Sequence, residues 1–267
     1  MNISRFRKII EYSDSNKDDI ESKVRKFYSL VGMSSDKEVL NILQIVRTFF
    51  LRRGYLVLEI PFADEEIGAL CYKGDALGYI VLNTSLPKVN VNFAICHEIY
   101  HVYFQKGEFK PRVEFANDHY YEYEDEFAAN LFAGMILMPE TSFRLMYHKF
   151  KTDSKGNELD TMVRLMNYYE VPYMSVLIRC NELGLTESNS ISEEFFNMDC
   201  ETIREKFVEL WLDYSILEAT KKDDYAHLES IVNQFGREYI KDSYLNERTL
   251  KKVIRNMRIL YSEIKGE

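Results

Sequence analysis

The stretch His97-Glu98-Ile99-Tyr100-His101 sets two imidazoles and a carboxylate within five residues, in a run whose apolar spacing predicts a helix. Residues four apart share a helical face, so His97 and His101 can present two ring nitrogens to one metal ion. Glu98 falls about 100° round the helix from His97. That places it beside the metal, where it can accept a proton from a water held there. Two nitrogen ligands and a general base on one turn is the layout of a zinc hydrolase. The alternative is an exposed face that carries two histidines and a Glu. Only five histidines occur in the chain, which makes this spacing more telling. Phe93, Ala94, Ile95, Ile99, Val102 and Tyr103 place apolar residues around most of the helix, so it is expected to be buried. Buried polar groups must be satisfied, and a metal with its water does that.

A catalytic zinc takes three protein ligands and leaves a fourth position open. Tyr123 to Pro139 reads as a second helix, started near Asn117 or Asp118 and ended before the proline. Glu126, Ala129, Asn130, Ala133 and Leu137 fall on one stripe of it. The two alanines permit close approach to another helix, so Glu126 can reach the metal. Asn130, one turn on, can hold a ligand histidine through its other ring nitrogen. Glu122 lies on the same face one turn earlier and is the alternative third ligand. Glu124 and Asp125 point elsewhere, towards solvent. Glu126 could instead be a surface carboxylate favoured by the dipole of the helix N-terminus.

Four segments in order resemble the ImmA/IrrE metallopeptidases: Gly78-Tyr-Ile-Val-Leu-Asn-Thr-Ser-Leu-Pro87, Phe93 to His101, Glu126-x-x-x-Asn130-x-Phe132-Ala133, and Leu137-Met138-Pro139. The resemblance covers about residues 55–185. It implies a gluzincin-like site with one Zn2+ per chain, held by His97, His101 and Glu126, with Glu98 as base. It also implies a substrate class, helix-turn-helix transcriptional repressors. Two departures stand out. Tyr100 occupies a position that is usually Gly in the family, and Ala128 one that is often acidic. Neither is a proposed ligand, so both bear on substrate fit more than on metal binding.

The expected fold is α+β, a zincin-like core with a small antiparallel sheet and the His-Glu-x-x-His helix, flanked by N- and C-terminal helical regions. Residues 1–54 read as helices, with Ser35 to Glu38 as a capping box and Gly54 as a stop. Residues 55–150 form the peptidase core. It opens with short strands at 55–62, 67–72 and 77–82, the last two joined as a hairpin around Lys73-Gly74-Asp75. An edge of this sheet could align an extended substrate. Residues 105–123 make a loop in which His119, Tyr120 and Tyr121 are candidate oxyanion donors or substrate contacts, although the chain has 19 tyrosines and most must serve packing or surface roles. Residues 151–186 form a helical pair packing on the core. Arg179 could line the cleft or make a structural ion pair there. Residues 187–267 are helical and lie outside the resemblance. They show a capping signal at Ser190 to Glu193 and heptad-like apolar spacing around Phe207, Leu210 and Trp211. Partner binding or homo-oligomerisation through these helices is one reading, and core helices with solvated backs are the other.

At 267 residues and 46% hydrophobic, the chain can bury a sizeable core. No apolar run approaches the ~20 residues of a membrane helix, and nothing behind the N-terminus serves as a signal peptide. Cys71, Cys96, Cys180 and Cys200 are scattered without a C-x-x-C pair, which fits free thiols in a reducing cytoplasm. Cys96 adjoins His97 but projects away from it, as a packing residue. A formal charge of −9 argues against a broad nucleic-acid surface. The first 54 residues do carry 11 Lys and Arg against 7 Asp and Glu, an excess best read as a solvated face. Any link to DNA is therefore expected to run through a protein substrate. Two functions follow. One is a zinc endopeptidase that uses Glu98 as base. The other is a non-catalytic metal-bearing module that sequesters or displaces a repressor.

Overall fold

The computed structural model describes residues 3–34, 39, 41–73, 78–105, 123–186, 193–196 and 198–266. The capping boxes at 35–38 and 190–193 and the turn at 74–77 lie wholly or largely outside that set. The chain opens with α1 (Ile3–Leu30) and α2 (Ile42–Arg52). Along α1, Phe6, Ile9, Ser13, Ile20, Val24 and Phe27 recur at helical spacing and are buried. Three strands follow, β1 (Tyr55–Ile60), β2 (Ala69–Lys73) and β3 (Gly78–Asn83), and then α3 (Lys88–Tyr103) and α4 (Tyr123–Leu137).

The sheet is mixed, which corrects the expectation of an antiparallel one. Its order is β1-β3-β2, with β2 antiparallel to β3 and β1 parallel to it. The hairpin of neighbouring strands forms as the alternation suggests. The segment at 61–68 is long enough to carry the chain past the end of β3, so β3 inserts between the two earlier strands. Two devices hold that arrangement. Gly78 pairs with Tyr55, and any Cβ there would lie 2.2 Å from the tyrosine ring. Asn83 is fully buried and uses its whole amide. Its Oδ1 accepts from the Phe62 and Ser85 N–H groups at 3.0 and 2.9 Å, and its Nδ2 donates to the Asp64 and Ile67 carbonyls. A saturated buried amide fixes a loop where a half-satisfied one would destabilise it.

The remaining helices are α5 (Glu140–Asp153), α6 (Glu158–Tyr169), α7 (Tyr173–Glu182), α8 (Glu193–Phe196), α9 (Cys200–Glu209), α10 (Tyr225–Lys241) and α11 (Glu247–Lys265). One buried cluster runs from Phe6 on α1 through α3 and α4 to Phe207 on α9. Arg179 is buried within it, donating to the Met138 carbonyl just past the end of α4 at 3.1 Å and pairing with Glu182 at 3.0 Å. It is a structural ion pair. The apolar spacing expected to run on from Phe207 breaks at Trp211. That residue sits past the end of α9 in a left-handed conformation and is 95% exposed. No helix of the described residues is long and apolar enough to cross a membrane.

A second, small cluster joins Ile60, Phe62 and Val81 to Tyr261 and Ile264 of α11. Glu59 clamps this region. Its carboxylate meets Arg47 of α2 at 2.6 Å and Lys222, while its main chain exchanges two hydrogen bonds with Asp224. Burial opposes ionisation of Glu59, but the Lys222 and Arg47 contacts outweigh it and hold its pKa below the ordinary value. Its contribution to stability is therefore full above ~4.3, the usual glutamate value, and is lost as pH falls through the lower folded value. Glu59→Gln is expected to destabilise the protein by about 2 kcal/mol near neutral pH. In thermal melts that deficit should shrink towards zero as the pH is lowered below the carboxylate range.

Candidate metal centre

α3 starts after Pro87 and is packed on almost every side, with no exposed residue from Lys88 to Tyr103. Its polar trio therefore sits within the protein body. α4 is the helix against which α3 packs most extensively, and Ala129 and Ala133, both fully buried, let the two approach. That seam brings together His97, His101 and Glu126. The two Nε2 atoms are 2.8 Å apart. Glu126 straddles them, with one carboxylate oxygen 3.4 Å from His97 Nε2 and the other 3.4 Å from His101 Nε2.

The outer ring nitrogens decide what those atoms offer. His97 Nδ1 is 3.0 Å from Asn130 Oδ1, and His101 Nδ1 is 2.8 Å from Gln105 Oε1. Gln105 Nε2 in turn donates to Asp125 Oδ2 at 3.0 Å. An ionised carboxylate only accepts, so Asp125 fixes the amide orientation of Gln105. Gln105 must then present its oxygen to His101, which must carry its proton on Nδ1. His101 Nε2 is left as a lone pair, and the Asn130 contact does the same for His97. In that tautomer two lone pairs and a carboxylate face one point, an arrangement that a cation completes. The separations are all below ~4 Å, twice the usual zinc–ligand distance, and a His, His, Glu set suits zinc. The donor set thus fits a divalent transition metal, and His97, His101 and Glu126 would hold it.

In the absence of a cation, a proton shared between His97 and Glu126 fills that point: burial opposes both charges, but the carboxylate raises the His97 pKa and the hydrogen bond from His97 and the two imidazoles hold the Glu126 pKa at about 2. Burial pushes the Glu98 carboxyl up. The two imidazoles oppose this only in part, and Glu126 adds to it. Glu98 is 8% exposed, on the turn that carries both histidines. Tyr100 fills the place of the usual Gly by packing against Phe132 and edge-on to His101, with ring centroids 6.0 Å apart in each pair. Lys23 of α1 lies over its ring at 5.1 Å and donates to its hydroxyl at 3.4 Å. Cys96 is fully buried.

Gln105 and Asp125 were not legible as site residues. Gln105 lies past the end of α3, and Asp125 reads as one of three acids opening α4. Their only sequence signal is spacing, since Gln105 is four residues from His101 and Asp125 adjoins Glu126. The corrected view is that Asp125 turns to the site and not to solvent, whereas Glu124 is exposed. His119, Tyr120, Tyr121 and the alternative ligand Glu122 lie outside the described residues.

Residues 51–181 match the family model of the IrrE N-terminal-like domain, a peptidase family. No curated protein and no solved structure gives a significant match.

Outer partners of ligand histidines typically contribute 10–100-fold to metal affinity. Gln105→Leu keeps the bulk but removes the acceptor at His101 Nδ1 and leaves Asp125 without its donor. It is expected to weaken Zn2+ binding by about that factor in competition with a chromophoric chelator. Unchanged affinity would show that Gln105 does not orient the ligand.

Proposed function

We propose that this protein, whose residues 51–181 match the IrrE N-terminal-like domain and support an ImmA/IrrE-type metallopeptidase, is a zinc-dependent endopeptidase cutting one specific protein substrate. The observation that carries this reading is the pairing of two features on one buried turn. Three ligand atoms, of His97, His101 and Glu126, converge on a point, and Glu98 beside them has a pKa raised by burial. A structural metal would have no use for such a base, and structural zinc sites usually have four protein ligands.

A Zn2+ bound there supplies Lewis acidity, polarising a peptide carbonyl and lowering the pKa of a coordinated water towards ~7. The protein supplies the proton transfers. Glu98 takes a proton from the attacking water onto a carboxylate oxygen as the oxygen–carbon bond forms. It then delivers that proton to the amine nitrogen as the carbon–nitrogen bond breaks, so it ends the cycle ionised again. The burial that raises its pKa makes it a readier proton acceptor than a solvated glutamate. Asn130 and the Gln105–Asp125 pair keep the two imidazoles turned to the same point throughout.

An extended substrate segment can be placed by the edge of the sheet. β2 has no strand partner on its outer side among the described residues, and it lies against α3, with Gly68 just before it 3.4 Å from Ala94 when given a Cβ. Main-chain pairing along β2 would lead a peptide to the α3–α4 seam. The substrate we favour is a helix-turn-helix repressor, the class that the resemblance implies, which the enzyme would meet in the cytoplasm.

Glu98→Gln keeps the shape and the metal ligands but removes the base. It is expected to retain bound zinc while cleavage of a repressor substrate, followed by mass spectrometry of the fragments, falls by about 10²–10⁴-fold. A variant that cleaves at the wild-type rate rules out Glu98 as base. A variant that still relieves repression without cleaving would favour displacement of the repressor over its hydrolysis.

A further inference from the structure

The helices α10 and α11 form an antiparallel hairpin, closed by contacts that run in step along both. Tyr225 stacks on Tyr261 with centroids 3.9 Å apart, Glu229 pairs with Arg258, and Leu250 lies so close to Gly236 that a Cβ there would meet it at 2.3 Å. Those contacts define the seam of the hairpin. The base of the hairpin is fixed to the sheet through Tyr261 and Ile264. The rest is thinly covered, since Gly236 and Leu250 are its only buried residues among those described.

A second apolar stripe exists on each helix. Ile231, Phe235 and Tyr239 recur at four-residue spacing on α10, and Val253 and Leu260 are seven apart on α11. All five are between 36% and 54% exposed. Each stripe lies about 100° round from the seam, in the same rotational sense on its own helix. Equal rotations on antiparallel helices end on the same side, so the two stripes form one continuous face. No charged side chain interrupts it. Arg237 on α10 and Arg248, Lys251 and Arg255 on α11 point to the opposite side by the same count.

We propose that this face seats a second copy of the chain, with α10 of each protomer lying over α11 of the other in a two-fold four-helix arrangement. Area supports that occupant. The five side chains leave roughly 500 Å² exposed per copy, so two copies supply about 1,000 Å² before any flanking residue is counted, near the ~1,200–2,000 Å² of a stable interface. The rim supports it too. Glu238 borders the stripe on α10 and Lys252 borders it on α11, and overlaying α10 on α11 of the partner brings opposite signs to the same edge. Pairing two such hairpins is how two-helix units bury a face that neither can bury alone.

The full-length chain should sediment as a dimer in analytical ultracentrifugation at micromolar concentration. Phe235→Asp should sediment as a monomer, with helical circular dichroism and bound zinc unchanged. Arg255→Glu, on the opposite face, should remain dimeric. Glu238→Lys should weaken association by about tenfold or more, and adding Lys252→Glu should restore it. A monomeric wild type would overturn the proposal and leave the face to a different protein. A Phe235→Asp chain that folds and still dimerises would overturn it as well. If Phe235→Asp does not fold, the charge pair decides: loss of association in Glu238→Lys without rescue in the double variant contradicts the α10-over-α11 pairing.

Discussion

Three electron-pair donors brought to face one point is the constraint on which the centre of this molecule depends. Without a cation or a shared proton, His97 Nε2, His101 Nε2 and the Glu126 carboxylate form a costly cluster, because none can then hydrogen-bond to another. The protein does not relieve that cost by turning a ring. It enforces it, by giving each outer ring nitrogen an oxygen to donate to. The Asp125–Gln105–His101 chain is the clearest case, because a carboxylate at its far end dictates the proton position at its near end two hydrogen bonds away. A site built this way is organised for a cation before the cation arrives.

Much of the fold serves to hold two helices at one spacing. Ala129 and Ala133 bring α4 up to α3, and α1 packs along α4, with Lys23 reaching over to the Tyr100 ring beside His101. Arg179 secures the far end of α4 by taking up a carbonyl just beyond it. On the other side the sheet fixes where α3 begins, through β3 and the saturated Asn83 amide at its end. The α10–α11 hairpin stands apart from this work. It meets the sheet at its base, through Asp224 of the Glu59 clamp and a small apolar cluster, and presents its own uncommitted face.

What could be read from the sequence follows from the range of each interaction. The α3 motif and the Glu126–Asn130 stripe are local, set by positions four residues apart on single helices, and α4 ends before Pro139 as the chemistry of proline requires. Strand order is not local. Nothing in the alternation of β1 told that β3 would insert beside it in parallel, because the hairpin of β2 and β3 looks the same in either sheet. Gln105 and Asp125 were missed for a related reason, since their role exists only across the α3–α4 seam. Trp211 shows a different failure. Its apolar character suggested a buried heptad position, and only the turn that ends α9 reveals that it faces solvent.

The central claim is that one metal ion is held by His97, His101 and Glu126, and metal content tests it most directly. The measurement is zinc per chain, by native mass spectrometry after equilibration with metal, for the wild type, Glu126→Ala and Glu122→Ala. The account predicts one zinc in the wild type and in Glu122→Ala, and none retained by Glu126→Ala. A folded wild type that takes up no zinc, or a Glu126→Ala chain that keeps it while Glu122→Ala loses it, would contradict the assignment.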